Sequence, residues 1–165
     1  MPDKETVRRA RKDKREGKSA STQAGEFVRE EFHHVREGKH GARSPEQAIA
    51  IGLSKARRAG VNLPPPKEGS TSRATRTHAQ RDLRQGHDGS HPTSTRRARA
   101  VLGALRREGH AAATPQAIAA HSHRVAEQRG PAARHASAVK ASHSRTHAER
   151  SASAKKAART RAKHK

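Results

Sequence analysis

The side chains of this 165-residue chain that are placed to do chemistry are cations and histidines. The loop GKHGARSP (38–45) sets Lys39, His40 and Arg43 beside the backbone N–H groups of a helix start, a favourable place for a phosphate. A plainer reading stays open: Lys and Arg just after a helix complement its C-terminal dipole, which accounts for the REGK unit (36–39) by itself. The loop lacks the GxxxxGK[ST] spacing, so nucleotide hydrolysis is not its chemistry.

The histidines offer three metal readings, at His33-His34-His40, at His121 with His123, and at His143 with His147. The last pair is spaced i, i+4 and shares a helix face. There is no cysteine, and Glu149, the acid nearest that pair, gives no recognisable third ligand. Solvated histidines are therefore the favoured reading, and neither a metal site nor a cofactor is expected. No Ser–His–Asp order and no carboxylate pair set in a cleft suggests catalysis, so no enzyme is expected.

Lysine and arginine remain, and they are abundant. Thirty-seven of them face fifteen Asp and Glu, a net charge of +22 and a pI near 11.8. Thirteen histidines add charge at mildly acid pH. This balance favours polyanions. Phe27 and Phe32 are the only aromatic residues, too few for the stacking platforms of single-strand binders. Phosphate contact, largely independent of base sequence and sensitive to salt, is the mode left. Its expected contributors are Arg8, Arg9, Arg11, Lys12, Lys14 and Arg15; Lys39 and Arg43; Lys55, Arg57 and Arg58; and Lys155, Lys156, Arg159, Arg161 and Lys163.

The elements that must carry these cations are helical. Phe, Ile, Leu and Val make up only 17 of 165 residues, and most other apolar residues are alanine. That composition predicts little core and extensive disorder. The large apolar residues concentrate between Phe27 and Leu63. Val28, Phe32 and Val35 sit at i, i+4 and i+7, and Ile49, Leu53 and Ala56 repeat the spacing. Ser44, Pro45 and Gln47 read as N-cap, first helical position and capping box, and Gly60 follows Arg57-Arg58 as a stop. Glycines that end plausible helices recur at 17, 38, 60, 86, 109 and 130, and TPQAIA (114–119) echoes SPEQAIA (44–50). With so few large apolar residues per unit, an array of short helices is favoured over a stacked solenoid.

The expected fold is mostly α, a short helical hairpin with further short helices, extensive disorder and no β-sheet. Five segments are expected: a basic arm or helix at 1–20, the hairpin at 21–66 and a polar linker at 67–93 with one weak helix. A second pair of short helices at 94–130 and a basic tail at 131–165 complete the chain. The tail holds ten Lys and Arg against Glu149 alone and should be disordered when free, gaining helix once neutralised. No apolar run approaches the length of a membrane span or a signal-peptide core.

The stretch STQAGEFVREEFHHVREGKHGARSPEQAIAIGLSKARRAGVNLPPP resembles a family of small basic bacterial proteins catalogued as a domain of unknown function. The resemblance covers roughly residues 1–66. REGH at 107–110 and SAKKAART at 153–160 are weaker features of it, and the tail is similar to bacterial histone H1-like sequences. It implies a bacterial cytoplasmic or nucleoid setting and supplies no activity or site residue.

The expected function is sequence-nonspecific binding of DNA, with RNA second. In the alternative, the apolar stripe Val28, Phe32, Val35, Ile49 and Leu53 docks a protein partner or a second copy, and the charge only localises the chain to nucleic acid or the ribosome. A membrane-surface role has least support, because the basic helices lack a bulky apolar face.

Overall fold

Serine and threonine caps set where the helices begin. Thr22 N–H donates to Ser19 Oγ at 3.3 Å, Gln47 N–H to Ser44 Oγ at 3.3 Å and Thr75 N–H to Ser72 Oγ at 3.1 Å. Ala117 N–H likewise donates to Thr114 Oγ1 at 3.3 Å. Each bond satisfies one of the N–H groups that a helix start leaves without a partner. Both Ser/Thr-Pro units of the sequence echo open helices in this way. The structure, a computed structural model, describes residues 2–89, 94–143 and 146–163.

Among the described residues there are seven α-helices, one 3₁₀ turn and no strand, so the protein is mostly α. The helices are α1 (Lys4–Arg15), α2 (Ala20–Arg36), α3 (Pro45–Arg58), α4 (Arg73–His87), α5 (Thr95–Arg106), α6 (Pro115–His143) and α7 (His147–Lys163). The 3₁₀ turn is Ala111–Ala113. The chain divides into two units, residues 1–121 and 122–165.

In the first unit α2 packs on α1 and α3, and α3 on α4. One apolar cluster joins Phe32, Val35, Ala42, Ala48, Ala112 and Ala113, with Val28, Ile49 and Ile118 against it. A second joins Ala10, Ala24, Phe27, Ala56 and Val61, with Val7, Ala20, Leu53 and Leu63. Small residues do much of this work, because helices that meet on alanine and glycine approach closely and bury backbone as well as side chain. At Gly52 a Cβ would lie 2.7 Å from Val28 Cα and 2.9 Å from its nitrogen. The same economy lets a chain with few large apolar residues form two small cores.

Residues 67–93 include α4, which is tied back to the hairpin. Ser54 Oγ donates to Asp82 Oδ2 at 2.5 Å, and Ala79 is buried. Residues 90–93 of the expected linker lie outside the described residues. Gly86, read from the sequence as a helix stop, lies inside α4 instead. Its reason is close approach, since a Cβ there would meet the carbonyl oxygen of Arg57. Gly17, Gly38, Gly60 and Gly130 do adopt positive φ, from 70° to 87°.

The second unit contains the remainder of α6, interrupted at Gly130 (φ 73°) before Pro131, and α7. None of its described side chains is buried. Where the sequence led us to expect a disordered tail, residues 131–143 and 147–163 are helical. Alanine supplies the helix propensity, and the near absence of large apolar residues leaves nothing to pack.

Candidate functional site

Helix α1 sorts its side chains cleanly. Thr6, Ala10 and Asp13 face inward and are buried, while Lys4, Arg8, Arg11 and Arg15 are exposed. These four cations follow i, i+4, i+7, i+11, a single stripe spanning about 16 Å at 1.5 Å per residue. With Pro2 and Val7 they line an open groove. Arg11 and Arg15 have no ion-pair partner among the described residues, and Arg8 pairs only with Glu5, at 2.8 Å and in solvent. Such exposed pairs are weak, so the guanidinium stays available to an anion.

The other expected contact residues fall into distinct environments. Lys14 is exposed and has no ion pair among the described residues, and Lys12 reaches Glu16 at 3.8 Å in solvent. Arg9 is committed to the fold, its Nε 2.6 Å from Glu26 Oε2 across to α2. Lys39 is exposed beside Glu37 at 3.1 Å, and Arg43 is exposed. Arg58 lies 3.8 Å from Asp82. On α7, Lys155, Lys156, Arg159 and Arg161 are all exposed, the first three within one helical face and Arg161 away from it. The side chain of Lys163 lies outside the described residues.

Lys55 and Arg57 are not surface cations. Lys55 Nζ sits 2.6 Å from Glu31 Oε2 and 3.7 Å from Glu30 Oε1. Arg57 is buried and donates from Nε to Leu63 O at 3.1 Å and from Nη2 to Pro64 O at 3.2 Å. It ties the VNLPPP segment to the end of α3. Burial pushes its guanidinium pKa below the usual value, with Asp82 opposing the shift. The sequence places both residues beside exposed Arg58, and only their helical phase turns them inward.

The loop 38–45 also has internal duties. Gly41 N–H donates to Leu105 O at 2.9 Å and Ala42 N–H to Gly109 O at 2.9 Å. Arg43 N–H donates to Gln47 Oε1 at 2.8 Å. These N–H groups are therefore taken, and the loop docks against the end of α5 and the REG unit at 107–109 rather than leaving an open backbone cradle. His40 is buried within the loop, while Lys39 and Arg43 keep their side chains in solvent.

Two loop junctions hold acids beside lysines. Lys18, at 2.8 Å from both Asp13 and Glu16, is pushed up in pKa by hydrogen bonds to those carboxylates, and it lowers Glu16 in return. Glu37 is likewise lowered, chiefly by its hydrogen bond to Lys39.

Beneath the hairpin lies a buried group of acids and bases that the sequence reading did not assemble. Glu31 is fully buried, with Oε1 2.8 Å from His40 Nε2 and Oε2 2.6 Å from Lys55. Glu30 receives the Asp3 backbone N–H on Oε2 at 3.2 Å. His34 Nε2 lies 3.4 Å from Asp3 Oδ2 and 4.0 Å from Glu30 Oε1. A signal was present: Glu31 stands four residues after Phe27 and four before Val35, both buried, so its helical phase places an acid on the apolar face.

Fold and surface together define a basic, mostly α protein with an ion-paired interior. Residues 11–67 match the model of a family of unknown function (DUF6496), a stretch that runs from the end of α1 through the hairpin. No curated protein and no solved structure matches the chain.

Proposed function

We propose that the protein binds nucleic acid through phosphate contacts with little sequence preference, duplex DNA ahead of RNA, as a histone-like component of a bacterial nucleoid. The observation that supports this best is the α1 stripe of Lys4, Arg8, Arg11 and Arg15. Four nearby acids, Asp13, Glu26, Glu30 and Glu31, are buried or largely buried in internal pairs, which leaves Glu5 as the acid that pairs with the stripe, in solvent. The cationic excess of +22 is therefore concentrated on the outside. Lys14, Lys39, Arg43 and the exposed cations of α7 extend the basic surface of their own units.

Docking of a protein through Val28, Phe32, Val35, Ile49 and Leu53 has less support, because Phe32 and Val35 are buried core residues and Val28, Ile49 and Leu53 are half-buried against the two apolar clusters.

The test is the triple variant R8Q/R11Q/R15Q of the full chain, titrated with mixed-sequence duplex DNA over a salt series. If all three arginines neutralise phosphates, the slope of log K against log[salt] becomes shallower by about 0.9 for each arginine replaced. An unchanged slope and affinity would remove α1 from the interface.

A further inference from the structure

We propose that Glu31, His34 and His40 form a binding site for one divalent transition-metal ion of the zinc class. The three residues each offer one ligand atom, and these atoms lie within 4.8 Å of one another, all on buried side chains. Ligands around a tetrahedral zinc at its usual bond lengths of about 2.0–2.2 Å stand roughly 3.3 Å apart. Glu31 Oε1 and His40 Nε2, at 2.8 Å, already approach that spacing, and His34 needs a modest side-chain adjustment.

The orientation of His40 carries the argument further. Its Nδ1 lies 3.0 Å from the Gly41 carbonyl oxygen, which can only accept, so Nδ1 bears the proton of the neutral ring. Nε2 then points its lone pair straight at a buried carboxylate oxygen. A neutral ring so placed sets two acceptors against each other, so the contact calls for either a second proton on the ring or a cation held between them. A histidine anchored through Nδ1–H to a backbone carbonyl and offering Nε2 is the arrangement that metal-ligating histidines adopt.

Charge points the same way. The carboxylates gathered here are Asp3, Glu30 and Glu31, and the one permanent cation among them is Lys55. With both histidines neutral the two buried carboxylates, Glu30 and Glu31, are one positive charge short where uncompensated charge is costly, while Asp3 adds its charge from the exposed edge. Glu30 Oε1 and both Glu31 oxygens also lack a properly aligned hydrogen-bond donor, although Lys55 and His40 are close in distance. Lys55 takes Oε2 of Glu31 and leaves Oε1 for an ion, while Asp3 and Glu30 flank the His34 ring. Two imidazoles and one carboxylate suit zinc, nickel or cobalt; calcium and magnesium prefer sites built of oxygen.

The rival occupant is a pair of protons, one on each histidine, and the experiment separates the two. Full-length protein freed of metal by chelator is titrated with zinc chloride by calorimetry, and with cobalt chloride by visible absorption. One saturable equivalent is expected, with a ligand-field spectrum for cobalt and a raised melting temperature for zinc. His34→Gln or His40→Gln should weaken that equivalent at least tenfold, while His33→Gln and the pair His143→Gln/His147→Gln leave it intact. If His40→Gln fails to fold, ring ¹⁵N shifts of the parent protein decide: zinc must move the resonances of His34 and His40. No saturable equivalent, or one that survives in both His34→Gln and His40→Gln, overturns the site, as would zinc that leaves those two rings unshifted.

Discussion

Replacing Gly52 by alanine tests the close α2–α3 packing on which the first unit depends. The new Cβ would stand 2.7 Å from Val28 Cα and 2.9 Å from its nitrogen. Carbon atoms normally rest about 3.5–4.0 Å apart, and backbone atoms cannot rotate aside, so the two helices must part by roughly 1 Å. Overpacking of this kind costs about 1–3 kcal/mol, and the helix propensity gained over glycine offsets about 1 kcal/mol. The expected result is a net loss of about 1 kcal/mol. Gly25 provides the internal control, since it lies in α2 with nothing within 4 Å of its added Cβ. Gly25→Ala should therefore gain about 0.5–1 kcal/mol from propensity alone. The two variants should differ by roughly 2 kcal/mol, or about 8 °C in melting temperature at this domain size. Far-UV circular dichroism against temperature and against urea measures both. Equal stability of the two variants, or a Gly52→Ala variant more stable than the parent, would refute the packing of α3 on α2 described above.

Three further outcomes follow from named contacts. Arg57→Met, which removes the two bonds to Leu63 O and Pro64 O, should cost about 1.5–3 kcal/mol in urea unfolding and leave DNA affinity unchanged, because Arg57 is buried. Glu31→Leu leaves Lys55 and His40 without their shared carboxylate and should destabilise by about 3–5 kcal/mol, read by the same unfolding assay. Lys18→Met should destabilise at neutral pH and lose that effect in acid. The lowered Glu16 pKa contributes stability above the ordinary carboxylate range that disappears as pH falls through its folded value; the raised Lys18 pKa contributes stability that is lost only in strong alkali. Thermal melts of variant and parent from pH 3 to pH 7 measure the closing difference.

The helical character was plain in the sequence because its signals are local. Ser44-Pro45 and Thr114-Pro115 start helices, and Gly17, Gly38 and Gly60 end them in positive φ, as residue type and spacing indicate. What local signals do not carry is which partner a residue meets. Gly86 has the form of a helix stop and is instead a contact surface for Arg57. Lys55, Arg57 and Arg58 read alike as basic residues at a helix end, yet two of the three are turned inward by phase. The acid–base group under the hairpin joins Asp3, Glu31, His40 and Lys55 from four separate places in the chain, and no one-dimensional pattern brings them together. On α1 the basic residues Arg8, Arg9, Arg11, Lys12, Lys14 and Arg15 were legible as a group, but Lys4 was missed. The exposed stripe stands apart from Arg9 only once the buried face of the helix is known.

The most direct test of polyanion binding is the affinity of the full chain for two unrelated duplex DNA sequences of equal length, measured from low to physiological salt and beyond. With about eight phosphates contacted, log K should fall against log[salt] with a slope near −7. The two sequences should give the same curve. A slope near zero, or binding too weak to detect at physiological salt, would contradict the account.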